Sequence, residues 1–369
     1  MARNIIKSYN SIVATNNSTS AFRTVNQSML LHKITQGLEY SIGYERQKSK
    51  QIGSQDLSTN DIFRQPDVSL NITYIPEPNF SNEIQGRFID SRPASYNWNK
   101  FVNFFNTNDV SDSNNFYVLI TKNAEDSFLN KLQFFSLQDF DGNEAIAFGN
   151  CFPTSYSLNY SVGSLPSVST QYICSNAVFD KLTGTSMQSP AINLTGGNND
   201  NVGNSTFSFS FDLSSTALEK APPIVNPDNT NSDVTLQNLQ VGGQIISGKH
   251  LVQSVDMNVS LPRVSSHGLG NDYAYNRKRQ FPANGTFSVS SLVSGLESGA
   301  MTGVLASDQS YQFDLKLDAS GKNMIYRIED AKLTSYDYSM NVNGTMSYDA
   351  SFSFEVTQSK GLKVSGTYY

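Results

Sequence analysis

Charge is scarce in this chain: Asp, Glu, Lys and Arg make up 16% of its 369 residues, where about 25% is usual. Cysteine is nearly absent. Cys151 and Cys174 are too few for a disulfide framework and suit small apolar packing residues on neighbouring strands. The three histidines, His32, His250 and His267, lack a second His or Cys at ligand spacing, which argues against a zinc site. No run approaches the roughly 20 apolar residues that span a bilayer. The N-terminal Met-Ala-Arg-Asn-Ile-Ile-Lys lacks the apolar stretch of a secretory signal. The expectation is a chain folded in a reducing cytoplasm, without membrane contact. A formal net charge of −6 disfavours nonspecific adhesion to nucleic acid.

Catalytic signatures are also missing. There is no G-x-S-x-G elbow, P-loop or dinucleotide fingerprint. Asp139-Phe-Asp-Gly-Asn-Glu144 looks like the start of a calcium loop but lacks the later ligands. Asp-Gly between β segments is instead a hairpin signal. No carboxylate pair stands out as a glycosidase site. The sequence is read as a non-enzyme with no metal and no cofactor.

What is abundant points to β-sheet. The chain has 23 Phe, 18 Tyr and 24 Gly, with Ser, Asn and Thr filling the space that charge leaves. It also repeats itself over long range. Gln36–Arg46 and Gln253–Arg263 both alternate strictly, with Leu38, Tyr40, Ile42 and Tyr44 falling on Val255, Met257, Val259 and Leu261. Gly53 and Gly270 keep the same register, and Arg64-Gln65-Pro66 answers Arg279-Gln280-Phe281-Pro282 with a one-residue slip. Later, Thr154-Ser155-Tyr156 matches Thr334-Ser335-Tyr336, and Leu158, Tyr160 and Val162 fall on Tyr338, Met340 and Val342. His32 and His250 stand just before the first repeated strand. Four matched strands in one order predict two tandem copies of an all-β domain, at 31–180 and 241–369. An N-terminal arm (1–30) precedes them. Between them, 181–240 is either a linker or an outer decoration, with one strand expected near 205–211.

One face of each repeated strand is apolar and the other is small or acidic. The polar faces carry Glu39, Ser41 and Glu45; Ser155, Ser157 and Asn159; Asp256, Asn258 and Ser260; and Asp337, Ser339 and Asn341. None is Lys or Arg, so the four strands suggest one continuous, faintly negative wall. The basic residues gather in the loops after the first strand of each copy: Arg46, Lys48, Lys50 and Arg64, then Arg263, Arg277, Lys278 and Arg279. Such loops are solvated, contact an acidic surface on a neighbouring subunit, or bind nucleic acid.

The run Leu251–Arg263, with Tyr273-Ala-Tyr275, Arg279–Pro282 and Phe148–Tyr156, resembles the tail tube (major tail) proteins of long-tailed phages. That resemblance covers most of residues 31–360. It implies a β-sandwich or half-barrel with a minor helix, whose long sheet lines a channel. For fused two-domain members it implies a homotrimer forming pseudo-hexameric, stacked rings. The polar faces would then line the lumen, passing viral DNA without specific binding, and the basic loops would reach the adjacent ring. Implied partners are further copies of the chain, a tape-measure protein, and terminator and distal tail proteins. The implied location is the virion tail, assembled in the host cytoplasm. A terminator or distal-tail ring protein shares this fold, and a β-rich adhesin or glycan-binding module is the alternative from another class.

Overall fold

A computed structural model describes residues 11–17, 26–32, 35–44, 46–49, 52, 59–62, 67–89, 99–100, 113–121, 142–162, 164–192, 206–211, 232–241, 244–245, 251–266, 274, 276–292, 310–319, 322–339, 347–357 and 361–366. Alternating apolar and polar residues make strands almost throughout, as expected of an all-β chain. The first half contains β1 (Ser11–Asn17), β2 (Asn26–Leu31), β3 (Thr35–Gly43), β4 (Arg46–Ser49), β5 (Thr59–Ile62) and β6 (Asp67–Tyr74). A short helix, α1 (Ser81–Gln85), follows, then β7 (Asn99–Lys100), β8 (Asn114–Ile120), β9 (Glu144–Ser161), β10 (Ser167–Cys174) and β11 (Asn176–Lys181). The connection holds β12 (Ser186–Gln188) and β13 (Thr206–Phe211). The second half runs through β14 (Ser232–Val241), β15 (Gln244–Ile245), β16 (Leu251–Ser260), β17 (Arg263–Ser266), β18 (Asn276–Arg279) and β19 (Ala283–Leu292). It ends with β20 (Tyr311–Ala319), β21 (Lys322–Ser339), β22 (Ser347–Val356) and β23 (Leu362–Gly366).

Eight strands pair antiparallel in the order β3–β6–β10–β9–β16–β19–β22–β21. The first four come from the first half and the last four from the second, in matching order. Behind them, β1–β8–β9–β11 pair in the first half and β14–β20–β21–β23 in the second. Thus β9 and β21, the two longest strands, each belong to two sheets. The change of sheet has a local cause. Asn150 and Asp330 sit mid-strand with φ of 48° and 59°, a left-handed conformation that bends a strand and increases its twist. Buried Asn150 is held there by its backbone N–H donating to Asn115 Oδ1 at 3.0 Å and its Oδ1 accepting from Ile192 N at 2.7 Å. The Ser310 hydroxyl donates to Asp330. Other irregularities recur at matching strand positions in the two halves. The pairing skips one residue at Gln36 and at Gln253, and again at Thr154 and at Thr334. The Thr154 hydroxyl donates to Gln171 O, and the Thr334 hydroxyl to Ser351 O.

One core cluster runs through both halves, joining Val68, Leu70, Tyr156 and Leu158 to Met257, Phe287, Leu315 and Tyr326. Within it, α1 presents Glu83 to tyrosines from both halves: Tyr156 Oη lies 3.3 Å from the carboxylate and 2.7 Å from Tyr326 Oη. Removal from water pushes the Glu83 carboxyl up from its ordinary 4.5 to about 7. His32, buried in an edge-to-face contact with Tyr74, is more than a polar residue at a strand entrance. Burial lowers its pKa to about 3, so the ring is neutral, with Nδ1 at 3.0 Å from Thr35 Oγ1. His250 and His267 lie outside the described residues.

Part of the expected N-terminal arm is folded. Its β1 pairs with β8 and β2, and Ile12, Val13, Ala14 and Met29 are buried. The alternation of Ile12 to Ala14 is the burial signal, masked in the sequence by the surrounding Asn and Ser. The described part of the connection packs too, because the outer surface of the first half's back sheet is apolar. Tyr117 and Ala147 there join Leu182, Met187 and Phe207 in a second cluster, and β13 pairs parallel with β2. In the second half the same sheet carries the Asp314–Arg327 ion pair at 2.7 Å and the Glu329–Lys363 pair at 2.6 Å, which need no cover. Gly149 permits the close approach: a Cβ there would lie 1.8 Å from Pro190 O. Cys151 and Cys174 lie on the paired β9 and β10, as expected of packing residues, but are joined as a buried disulfide. Adjacency across an antiparallel pair brings the two sulfurs together, and alternation alone does not reveal it.

Candidate functional site

Among the described residues no group of three or more His, Cys, Asp and Glu could hold a metal, and no helix is long and apolar enough to cross a membrane. The surface that stands out is the solvent face of the eight-stranded sheet. Glu39 and Ser41 are exposed on β3, Asn159 on β9, Asp256, Asn258 and Ser260 on β16, and Asp337 and Ser339 on β21. Ser155 and Ser157 are half-buried on the same face. Glu45 and Asn341 lie outside the described residues.

The strands between them carry the same character. β6 contributes Asp67, Ser69 and Asn71; β10 Ser169 and Gln171; β19 Asn284, Thr286 and Ser288; and β22 Asp349, Ser351 and Glu355. These residues were equally visible as alternating small polar side chains, but lie outside the segments that repeat most clearly. Lys332, exposed on β21 opposite Ser353, is the one cation on this face among the described residues, against Glu39, Asp67, Asp256, Asp337, Asp349 and Glu355. Short hydroxyls and amides pair across strands, as in Ser41–Ser69 at 2.8 Å, Ser169–Asn71 at 2.8 Å and Ser288–Ser351 at 2.9 Å. Asn159 donates to Asp256 across the seam between the halves. Side chains tied down to one another leave a low, wetted surface whose charge is mostly acidic.

No protein-family model matches this chain, and no curated protein does either. Solved structures similar to it include two from gene transfer agent particles. One is a chain of the virion of a native gene transfer agent particle, at 16% identity and a TM-score of 0.25, aligned over 37% of this chain and 96% of that one. The other belongs to the tail of an empty gene transfer agent particle, refined with helical methods and C6 symmetry. It aligns at 15% identity with a TM-score of 0.26, over 37% of this chain and 96% of that one.

The basic loops differ from one another. Each forms a two-stranded hairpin separate from the large sheet, β4–β5 and β17–β18. In the second, Arg263 Nε donates to Pro153 O at 2.9 Å and Nη1 to Arg277 O at 2.9 Å, with the guanidinium 5.1 Å over the Phe152 ring. Arg277 is buried, 5.9 Å over the same ring. Both arginines therefore fasten the hairpin to the first half, through stacking that a lysine would not reproduce. Lys278 is exposed and Arg279 half-buried; Arg46 is exposed at the start of β4. Lys48 lies on β4, while Lys50 and Arg64 are outside the described residues.

Proposed function

We propose that this chain is the structural subunit of a phage tail tube, built from two duplicated copies of one β domain. Three chains close a ring of six such units, rings stack, and the polar face of the eight-stranded sheet lines the channel through which DNA passes. The observation that carries the reading is that face: eight strands wide, built of short polar side chains, with six carboxylates against the single cation Lys332 among its described residues. Each cation that neutralises a phosphate gains affinity by releasing counterions. A conduit for DNA has to forgo that gain along its whole length. The matching strand order, and bends and skips that recur at matching strand positions, support the duplication. Closure also removes the two open sheet edges that a lone chain exposes. No nucleophile, metal or cofactor is required, so the role is non-enzymatic.

Electron microscopy of the purified full chain tests the reading. Rings of about sixfold appearance, or tubes built from them, are the expected result. A monodisperse monomer at high concentration would overturn it. Single rings that never stack would move the assignment to a terminator or distal-tail ring protein.

A further inference from the structure

The chain holds two cysteines in 369 residues, and the fold sets them side by side. A bridge needs Cβ atoms within about 4.5 Å of each other, which few pairs of positions satisfy. Two cysteines placed only to fill space would seldom meet. The second half shows that packing does not require them. Cys151 follows the left-handed bend at Asn150 as Ala331 follows the bend at Asp330. On the next strand, Cys174 stands four residues after Thr170, the partner of Tyr156, and Phe354 stands four after Ala350, the partner of Tyr336. One strand further, Cys174 pairs with Val68 and Phe354 with Gly285, where a Cβ would lie 2.2 Å from the Phe354 ring. One copy therefore fills this corner of the core with two sulfurs beside a valine. The other fills it with an aromatic ring resting on a glycine, beside Ala331. The corner is also where the first half changes sheet. β9 bends at Asn150, and β10 hands over to β11 across Ser175 alone, whose N–H donates to Gly149 O at 2.9 Å. The bond ties the two strands together at that crossing.

We propose that Cys151 and Cys174 form a redox-gated clamp on this corner. They are two thiols while the chain is in a reducing compartment and one disulfide after it meets an oxidising one, with the same fold in both states. Reduced, the buried thiols pack as small apolar groups, and the second half closes the equivalent corner with no covalent bond. Oxidation by a small-molecule disulfide of the glutathione class proceeds by two exchanges. One protein thiolate attacks the reagent, forming a mixed disulfide and releasing one reagent thiolate. The other protein thiolate then attacks the protein sulfur of that mixed disulfide and releases the second. The protein loses two electrons and two protons, and the reagent's two sulfurs take them up as thiols. With Cys151 1% and Cys174 0% exposed, exchange requires the corner to open, so the folded core shields the closed bond from reductant. The change of compartment rests on the particle reading above; the clamp itself belongs to the single chain.

Alkylation under denaturing quench tests the gate on the full-length protein. One sample is released from a reducing cytoplasm directly into denaturant with excess N-ethylmaleimide. A second is incubated folded with oxidised glutathione before the same quench. The first should carry two alkylated cysteines per chain and the second none, with Cys151 and Cys174 joined in one fragment of a peptide map. A disulfide already present in the first sample makes the bond constitutive and overturns the gate. Thiols that survive oxidation, or glutathione retained on the chain, overturn the clamp. Urea unfolding of the two forms reads what the bond does. The cysteines are 23 residues apart in sequence, and closing such a loop should lower the unfolding constant roughly a hundredfold, seen as a higher midpoint. Coincident midpoints overturn the mechanical role. Cys151→Ala with Cys174→Val removes the bond, and its midpoint should not move with reductant; a shift there would trace the parent's response to something else and overturn the clamp. The comparison of the parent's two forms needs no variant to fold. All of this is measured on the free chain, so an absence of rings would remove the tube reading and leave the clamp standing.

Discussion

Asp337 lies directly opposite Asp349 across the β21–β22 pair, with both carboxylates on the exposed polar face. Like charges so placed destabilise an antiparallel pair by roughly 0.2–1 kcal/mol. A sheet selected for stability alone would carry Lys or Thr at one of the two positions. Replacing Asp349 with Ser is expected to stabilise the chain by about 0.2–1 kcal/mol, read as a higher urea midpoint at unchanged slope. An unchanged or lower midpoint would mean that this pair costs nothing, and that its sign needs no functional explanation.

Two buried groups give stability opposite pH dependences. Glu83 titrates near 7 in the folded chain against an ordinary 4.5, so its proton stabilises the fold at low pH and that contribution is lost as pH rises through about 7. His32 is held neutral down to about 3 against an ordinary 6.5, so stability falls as pH drops from 6.5 towards 3. Between 4.5 and 6.5 the two slopes oppose one another. Glu83→Gln removes one of them. Its stability should then climb steadily from pH 3 to 6.5, where the parent chain is flatter above pH 4.5. Relative to the parent, the variant should gain up to about 3 kcal/mol between pH 4 and pH 8. Parallel profiles for the two proteins would mean that Glu83 is not held protonated.

Much of the sheet was legible because period-two alternation reports which face a residue occupies. The pattern in Leu38–Tyr44 and Val255–Leu261 named both strands and their polar sides. Alternation says nothing about partners, however. It could not show that β9 and β21 each continue through two sheets, because the bend depends on a left-handed Asn150 or Asp330, residues that look ordinary in sequence. Nor could it reveal that Glu83, on one turn of helix, meets tyrosines from strands far away in the chain. The folded part of the arm is hidden for a related reason: Ile12–Ala14 is a short apolar run among Asn and Ser, and its burial comes from β8, about a hundred residues later. Arg263 and Arg277 read as loop cations because the Phe152 ring they stack on lies on another strand.

In the proposed tube the basic hairpins reach the adjacent ring, and β4–β5 is the first of them. Deleting residues 48–60 removes most of β4–β5 while leaving the eight-stranded sheet and its edges intact. The expected product is rings that no longer stack into tubes, seen by electron microscopy alongside the parent protein. Normal tubes from the deletion would remove this hairpin from the ring-to-ring contact.

The polar wall makes the sharpest demand. Glu39 and Asp256 occupy corresponding positions on β3 and β16, both exposed, and neither belongs to the hydrophobic core. Glu39→Lys with Asp256→Lys should therefore fold and assemble, changing the wall by four charges per chain. Rows of lysine repeated ring after ring would give DNA cations to bind, each contact strengthened by counterion release. Parent tubes should not retain DNA in a co-sedimentation assay. Tubes of the double variant should retain it at low salt, losing it steeply as salt rises, because affinity falls with the logarithm of salt concentration in proportion to the number of contacts. Particles carrying the variant should deliver DNA more slowly, with the defect easing in the same salt range. Retention of DNA by the parent at low salt, or none by the variant, would place these carboxylates away from the path of DNA and remove the channel assignment of this face.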